Sequence, residues 1–288
     1  MMPPSSRERL LEPAGMPRVG ELLLAAGKLT ELQLGQILKH QHEHGTRFGE
    51  AAQQLGLLSE ADVHAMVARQ FSSFLAEPGS ALSERLYMAY AERLLEKEKI
   101  KALRSQLQLA WLAQGQRSLL LGGVDDEATR ATLAGNLAIA FSQLGLATLL
   151  VDANLRGSAL PALLGSRRRV GLSDLLAGRG ELERLVEPVA GLEDLDYLPA
   201  GTPAPNPQEL LSRKRMQQLV PELAQRYEVV IYHTPDQHEW YDTQILASLV
   251  PGVLLLARRD GTPLPALADM VARLRLIRAE LLGCVYLD

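Results

Sequence analysis

Short apolar runs alternate with longer segments of helical periodicity over the C-terminal two-thirds of the chain. A long helical pattern over residues 88–111 comes before the first run, and apolar residues then recur at three- and four-residue spacing between runs. The apolar runs are residues 118–121, 148–151, 195–198, 229–232, 253–256 and 284–287. This alternation predicts an α/β domain with a mostly parallel sheet and helices on both faces.

The N-terminal part of the chain has no such runs and instead contains the same frame twice. Residues 18–41 recur without gaps as residues 47–70, and each copy has the pattern of a short helix, a glycine turn and a second helix. A turn-rich stretch, Glu77-Pro78-Gly79-Ser80, follows the second copy. We therefore expect a small, mostly helical domain over residues 1–75, a linker over 76–87 and the α/β domain over 88–288.

Arginine, glycine and glutamine recur at fixed places in the two copies, in addition to the apolar positions. An arginine beside a glycine suits recognition of phosphate and guanine, because the guanidinium is a planar cation and the glycine backbone can be approached closely. The repeat is interpreted either as two half-sites for one ligand or as a pair of hairpins that only form a core. The doubled pattern resembles the MshEN family of cyclic di-GMP-binding domains, with Ala52 where that family favours leucine.

By this resemblance the N-terminal domain takes cyclic di-GMP as its ligand. The binding residues implied are Arg18, Gly20, Leu23, Gly27, Leu34, Leu38, Gln41, Arg47, Gly49, Gly56, Val63, Val67 and Gln70.

Composition and charge limit the binding partners and the cellular compartment expected for the protein. A net charge of -4 gives no general attraction for nucleic acid or for an anionic membrane. The single Cys284 excludes an internal disulfide and fits a reducing compartment. No apolar stretch reaches the roughly 18 residues that a spanning helix needs. The sequence therefore predicts a cytoplasmic protein that meets the inner face of the membrane only through a partner.

Three segments of the α/β domain follow strands at the expected ligand-binding edge of the sheet. Gly122 to Thr132 follow the first strand, Asp152-Ala153-Asn154-Leu155-Arg156 end the second, and His233-Thr234-Pro235 end the fourth. A P-loop ATPase keeps its phosphate loop and its two metal-handling acids at these positions. We thus expect a P-loop NTPase-like domain.

Further motifs in the α/β domain resemble the bacterial tyrosine autokinases that partner chain-length determinants in exopolysaccharide export. They are Leu149 to Arg156, Gly171 to Gly178, Leu198 to Gly201 and Pro205 to Leu211. With the N-terminal repeat, the whole chain resembles the EpsG-type members of that group. The resemblance places Glu98, Lys101 and Arg104 at a subunit interface, with lysine for the family's first arginine, and so indicates a homo-oligomer or a contact with a paralogue.

The phosphate loop departs from the family pattern G-x-G-K-[ST]-T. The residues at the degenerate nucleotide site are Glu127, Thr129, Arg130, Ala131, Thr132, Asp152, Asn154 and His233. Glu127 adds a repelling carboxylate, Ala131 lacks the hydroxyl that would bind magnesium, and Arg130 keeps the positive charge. Asn154 and His233 replace acids, and only Asp152, the general base by resemblance, is retained. The sequence predicts weakened binding of ATP and magnesium.

The function expected from these patterns is that of a cyclic di-GMP-responsive regulatory pseudokinase. Its partner would be a membrane-embedded chain-length determinant or an active kinase paralogue. Two alternatives stay open. One is an active ATP-dependent tyrosine autokinase in which Arg130 and Asp152 have the main catalytic roles and Tyr286 or another tyrosine is phosphorylated. The other is a structural adaptor without ligands. His233, Asp236, His238 and Glu239 lack a recognised ligand spacing, so no metal site is predicted.

Overall fold

The protein divides into two compact units, Met1–Phe74 and Leu75–Asp288. The computed structural model describes residues 24, 29–44, 48–59, 76, 80–90, 93–124, 126–235 and 240–287. Residues 80–90, most of which were expected to be linker, contribute Leu82, Leu86 and Met88 to the core of the second unit. The second unit therefore begins ahead of its first long helix.

The helices of the first unit whose bounds the structure gives are α1 over Glu31–His44 and α2 over Phe48–Gln54. Thr30 caps α1, because its Oγ1 accepts a hydrogen bond from the Gln33 amide at 3.3 Å and the Gln33 side chain accepts one from the Thr30 amide at 2.9 Å. Leu29, Ile37, Ala51, Ala52 and Leu58 are buried together. Gly56 follows α2 at φ +67°, a left-handed conformation that favours glycine.

The second unit is built on a seven-stranded sheet within the described residues, in the order β3-β4-β2-β5-β1-β6-β7. All neighbours pair in parallel except β3 and β4, which are antiparallel. The strands are β1 Ser118–Gly123, β2 Thr148–Asp152, β3 Glu187–Pro188, β4 Leu195–Leu198, β5 Val229–His233, β6 Val253–Arg258 and β7 Leu281–Leu287. The predicted α/β class and its six parallel strands are confirmed.

Helices join the strands of this sheet and cover its faces. They are α3 Leu94–Ala110, α4 Glu127–Ser142, α5 Leu160–Leu164, α6 Leu172–Leu176, α7 Leu182–Leu185, α8 Pro207–Leu211, α9 Lys214–Arg226, α10 Trp240–Ala247 and α11 Leu264–Leu276. Among the helices described here, none has the length and apolar character that crossing a membrane requires.

Alternate residues of the central strands enter two separate cores. In β1, Leu119 and Leu121 belong to the core that contains α4, whereas Leu120 belongs to the opposite core with α9. All three are at most 1 % exposed, and burying a leucine side chain contributes about 1.5–3 kcal/mol. Because both faces are covered, the central strands are apolar throughout, which is why the sequence revealed them.

Candidate active site

The N-terminus of α4 lies where the sequence predicts the phosphate loop, and a carboxylate of the chain itself caps it. Asp126 accepts hydrogen bonds from the amide and the hydroxyl of Thr129, both at 2.8 Å. Burial opposes ionisation of Asp126, but these bonds and Arg258, whose Nη1 is 3.3 Å from the carboxylate, outweigh it and lower its pKa. The positive end of the helix is therefore already met by a negative charge.

Glu127, the first residue of α4, joins three segments of the site. Its Oε1 accepts a hydrogen bond from the amide of Ala159 at 3.0 Å and lies 2.7 Å from Nε2 of His233. Burial alone would raise the pKa of Glu127, but the hydrogen bond and charge of His233 and the Ala159 amide together hold that pKa below its ordinary value. Glu127 is thus an ionised carboxylate at the predicted phosphate position.

Arg130 is fully buried one turn further along α4. Its Nε donates a hydrogen bond to the carbonyl oxygen of Thr234 at 3.2 Å, and its Nη2 donates one to the carbonyl oxygen of Pro235 at 2.9 Å. These two residues directly follow β5. The guanidinium is consequently held at the C-terminal end of that strand.

Asp152 is the last residue of β2 and is fully buried. It lies in register with His233, the last residue of the neighbouring strand β5. The Tyr197 hydroxyl donates to Oδ2 of Asp152 at 3.0 Å, and the Asn154 amide donates to Oδ1 at 3.3 Å. Burial raises the pKa of Asp152 to about 6, although His233, the Ser158 and Tyr197 side chains and the Asn154 amide all oppose the rise.

The donor atoms around Asp152 do not suit magnesium, which prefers carboxylate and water oxygens. Ala131 offers no side-chain oxygen, and Asn154 uses its amide group to donate to the carbonyl of Gly157. Nε2 of His233 already contacts Glu127. His233 is fully buried, and its Nδ1 has no hydrogen-bond partner among the residues that the structure describes.

A buried ion pair fixes the chain that follows Asp152. Arg156 donates from Nε and Nη2 to the two carboxylate oxygens of Asp242, at 3.0 and 3.4 Å. The Asp242 side chain is fully buried in α10, whereas that of Arg156 is 33 % exposed. The two-point contact ties the segment after β2 to the helix after β5.

We expect Arg156→Ala to destabilise the second unit by about 3–5 kcal/mol, because it leaves the charge of Asp242 buried without its partner. Urea unfolding of the purified chain measures this change. Arg156→Lys, which keeps the charge, should cost less, and adding Asp242→Asn to Arg156→Ala should recover part of the loss. A change below about 0.5 kcal/mol for Arg156→Ala, the range of an ordinary surface substitution, would contradict this role.

Most of the predicted nucleotide-site residues do meet at the C-terminal ends of β2 and β5. The hydroxyl of Thr132 instead donates a hydrogen bond within α4, to the carbonyl of Ala128 at 2.8 Å. Sequence reasoning missed Tyr197 and Asp242. A tyrosine inside the apolar run of β4 and an acid near the start of α10 were the available signals, but only the fold shows which groups they contact.

The residues predicted for a subunit interface make contacts within the chain. Lys101 Nζ lies 2.7 Å from Oε1 of Glu98, on the surface of α3. Arg104 Nη1 donates to the carbonyl of Ala140 in α4 at 2.9 Å, and burial lowers the pKa of Arg104. An intermolecular role for these residues stays a prediction.

Much of the predicted cyclic di-GMP site lies outside the described residues. These positions are Arg18, Gly20, Leu23, Gly27, Arg47, Val63, Val67 and Gln70, together with the side chain of Gln41. Of the others, Leu38 is half exposed on α1 and Gly49 lies in α2.

The known proteins that are similar to this chain in sequence and in structure include bacterial tyrosine-protein kinases. The chain is 28 % identical over 207 residues to tyrosine-protein kinase YwqD of Bacillus subtilis, covering 72 % of this chain and 87 % of YwqD. It is 34 % identical over 161 residues to tyrosine-protein kinase wzc of Salmonella typhi, covering 56 % of this chain but 22 % of wzc. The kinase domain of the Escherichia coli tyrosine kinase ETK superposes with a TM-score of 0.64 at 27 % identity, covering 67 % of this chain and 75 % of that structure. No protein-family model matches.

The expectation of a cyclic di-GMP-responsive pseudokinase is wrong. YwqD, wzc, ETK and the BceF tyrosine kinase domain are all named as tyrosine kinases, and none of these names refers to cyclic di-GMP. The findings favour the alternative of an active tyrosine kinase.

Proposed function

We propose that this chain, a relative of the bacterial tyrosine-protein kinases, transfers the γ-phosphate of ATP to tyrosine hydroxyls, including its own. The observation that carries the proposal is the placing of Arg130 and Asp152 around the end of β5. Asp152 is in register with His233, and Arg130 donates to the carbonyl of the next residue, Thr234. Phosphoryl transfer depends on such positioning of charge and base.

Asp152 is the group suited to accept the proton of the attacking tyrosine. With a pKa of about 6, it is mostly ionised at pH 7 and is still a stronger base than an ordinary aspartate. The Tyr197 hydroxyl and the Asn154 amide each hold one of its oxygens. These contacts fix the carboxylate in one orientation.

Arg130 is the group suited to bind the transferred phosphate. Two of its hydrogen bonds go to neutral acceptors, the carbonyls of Thr234 and Pro235, and hydrogen bonds to a charged phosphate oxygen are roughly twice as strong. Exchanging these two carbonyls for phosphate oxygens would strengthen those two hydrogen bonds. Because Asp152 is fully buried, a nucleotide and a tyrosine reach this site only when the contacts made by Arg130 and Glu127 open.

The proposal is tested with the purified chain and ATP labelled in the γ-phosphate, in parallel reactions with magnesium, with manganese and with a chelator. We expect labelled phosphotyrosine on phosphoamino acid analysis. Arg130→Met, which keeps the length of the side chain and removes its charge, should lower transfer about 10- to 100-fold, as expected for loss of a charged hydrogen-bond donor. Absence of phosphotyrosine from the wild-type reaction under all three conditions would reject the proposal.

We further propose that this kinase acts in polysaccharide export beside a membrane-embedded chain-length determinant. The support is the resemblance of the motifs at Gly171 to Gly178 and Pro205 to Leu211. In a host from which the gene has been deleted, the wild-type chain should restore the polymer length distribution and Asp152→Asn should not. If both chains restored the polymer length distribution equally, the kinase activity would not act in polysaccharide export.

A further inference from the structure

The sequence contains seven tyrosines, and the structure describes all of them. Five are wholly or partly enclosed: Tyr87, Tyr90, Tyr197, Tyr227 and Tyr232. Three of these donate hydrogen bonds to oxygens of the chain: Tyr90 to the Leu82 carbonyl at 2.5 Å, Tyr197 to Asp152 at 3.0 Å and Tyr227 to Asp196 at 2.8 Å. Tyr232 is fully buried, and Tyr87 packs against the core.

Two tyrosines remain accessible to a phosphate donor. Tyr241 is 55 % exposed in the first turn of α10, and Tyr286 is 64 % exposed in β7. A tyrosine must present its hydroxyl to a kinase site, so these two are the candidates for modification in the folded chain.

Tyr241 is linked to the proposed site of transfer through the residue that follows it. The next residue, Asp242, is bonded to Arg156, which lies shortly after Asp152 in the chain. Tyr286 lies in the outermost strand, four strand spacings from β2, or roughly 19 Å across the sheet. The start of α10 is therefore attached directly to the segment that follows Asp152.

We propose that Tyr241 is a phosphate-acceptor site of this protein, an inference that rests on the proposed kinase function. In the transfer, the Tyr241 oxygen forms a bond to the γ-phosphorus of ATP. The bond between that phosphorus and the β–γ bridging oxygen breaks, and ADP leaves with the electron pair. The phenolic proton passes to the carboxylate of Asp152 in the copy that carries out the transfer, which is the same molecule or a second one.

The surroundings of Tyr241 are suited to a phosphorylated side chain. Its ring centroid lies 4.2 Å from that of Trp240, and the guanidinium carbon of Arg273 lies 4.4 Å from the Trp240 ring. Arg273 also pairs with Asp269 at 2.5 Å. A phosphate adds about −1.5 to −2 charges, and negative charge is favourable at the first turn of a helix.

The test begins with mass-spectrometric mapping of the full chain after incubation with ATP. We expect phosphate on the peptide that contains Tyr241. Tyr241→Phe should lose the phosphate on this peptide. The matched variant Tyr286→Phe, which also alters an exposed ring, should retain it. Phosphate confined to Tyr286 would overturn the inference while leaving the kinase activity itself supported.

A second reaction does not depend on the activity of this chain. The Asp152→Asn chain is incubated with ATP and an added bacterial tyrosine-protein kinase of demonstrated activity. We expect the Tyr241 hydroxyl to be modified at least as fully as that of Tyr286. The inference would be overturned if the added kinase modified Tyr286 but not Tyr241, or modified neither. Failure of transfer in the first reaction alone would count only against the kinase function of this chain.

Discussion

Asp152→Asn is expected to lower phosphotyrosine formation by about 10²- to 10⁴-fold, the usual contribution of a general base, while making the folded second unit more stable at neutral pH. The pKa of Asp152 is raised by burial to about 6 from an ordinary value of 3.8. Its folded state thus favours the protonated form. The associated stability is present below about pH 4 and is lost as the pH rises through about 6.

At pH 7.5 the buried carboxylate of the wild-type chain therefore carries its full penalty, about 3 kcal/mol for a shift of about two pKa units. Asparagine has the same shape, can still bond to Tyr197 and Asn154, and does not ionise. Urea unfolding should show Asp152→Asn to be more stable at pH 7.5, with a smaller gain at pH 5.

Asp260→Asn, at an exposed position, serves as the control. It should change neither the rate of phosphotyrosine formation nor the free energy of unfolding. An Asp152→Asn chain that transfers phosphate at the wild-type rate would contradict the role of Asp152 as base. A loss of stability at pH 7.5 would contradict the effect of its burial.

Glu127→Gln is expected to bind ATP roughly 5-fold more tightly than the wild-type chain, or better. A like-charge pair about 4 Å apart costs ~1 kcal/mol in water and ~4 kcal/mol at a surface-like dielectric. Glu127 is ionised at the N-terminus of α4, where the sequence predicts the phosphate loop. Glutamine removes the charge and can still accept the hydrogen bond from the Ala159 amide.

Isothermal titration of ATP into each purified chain measures the dissociation constants. The control is Glu193→Gln, which removes the same charge from an exposed turn away from the site and should leave the affinity unchanged. Equal or weaker binding by Glu127→Gln would show that this carboxylate does not repel the nucleotide.

The sequence predicted the sheet well and its side-chain contacts poorly. The central strands β2, β5 and β1 are mostly apolar because both faces are covered, and that pattern is visible in the sequence. The strand β3 has two residues, one of them Pro188, and pairs only antiparallel with β4, so it carries no such pattern. The contact of Glu127 with His233 and the bond from Tyr197 to Asp152 join residues far apart in the chain. Only the assembled fold specifies them.

The phosphate loop alone is a misleading guide to function, because most of the domain around it resembles the tyrosine kinases. The changes at Glu127, Ala131 and Asn154 are real, and the structure shows that they alter the donor atoms of the site. The similarity to YwqD nevertheless extends over 207 residues, and Arg130 and Asp152 still bracket the end of β5. Substituted ligands change how a site binds its nucleotide without deciding whether it transfers phosphate.

The rate of phosphotyrosine formation between pH 5 and pH 8, measured for the wild-type and Asp152→Asn chains, tests the proposed base most directly. Asp152 accepts a proton only when ionised, so the wild-type rate should rise with an apparent pKa near the value of about 6 expected for this carboxylate and then level off. Asp152→Asn should show no such rise. A wild-type rate that is zero, or that stays constant through this pH range, would contradict transfer with Asp152 as the base.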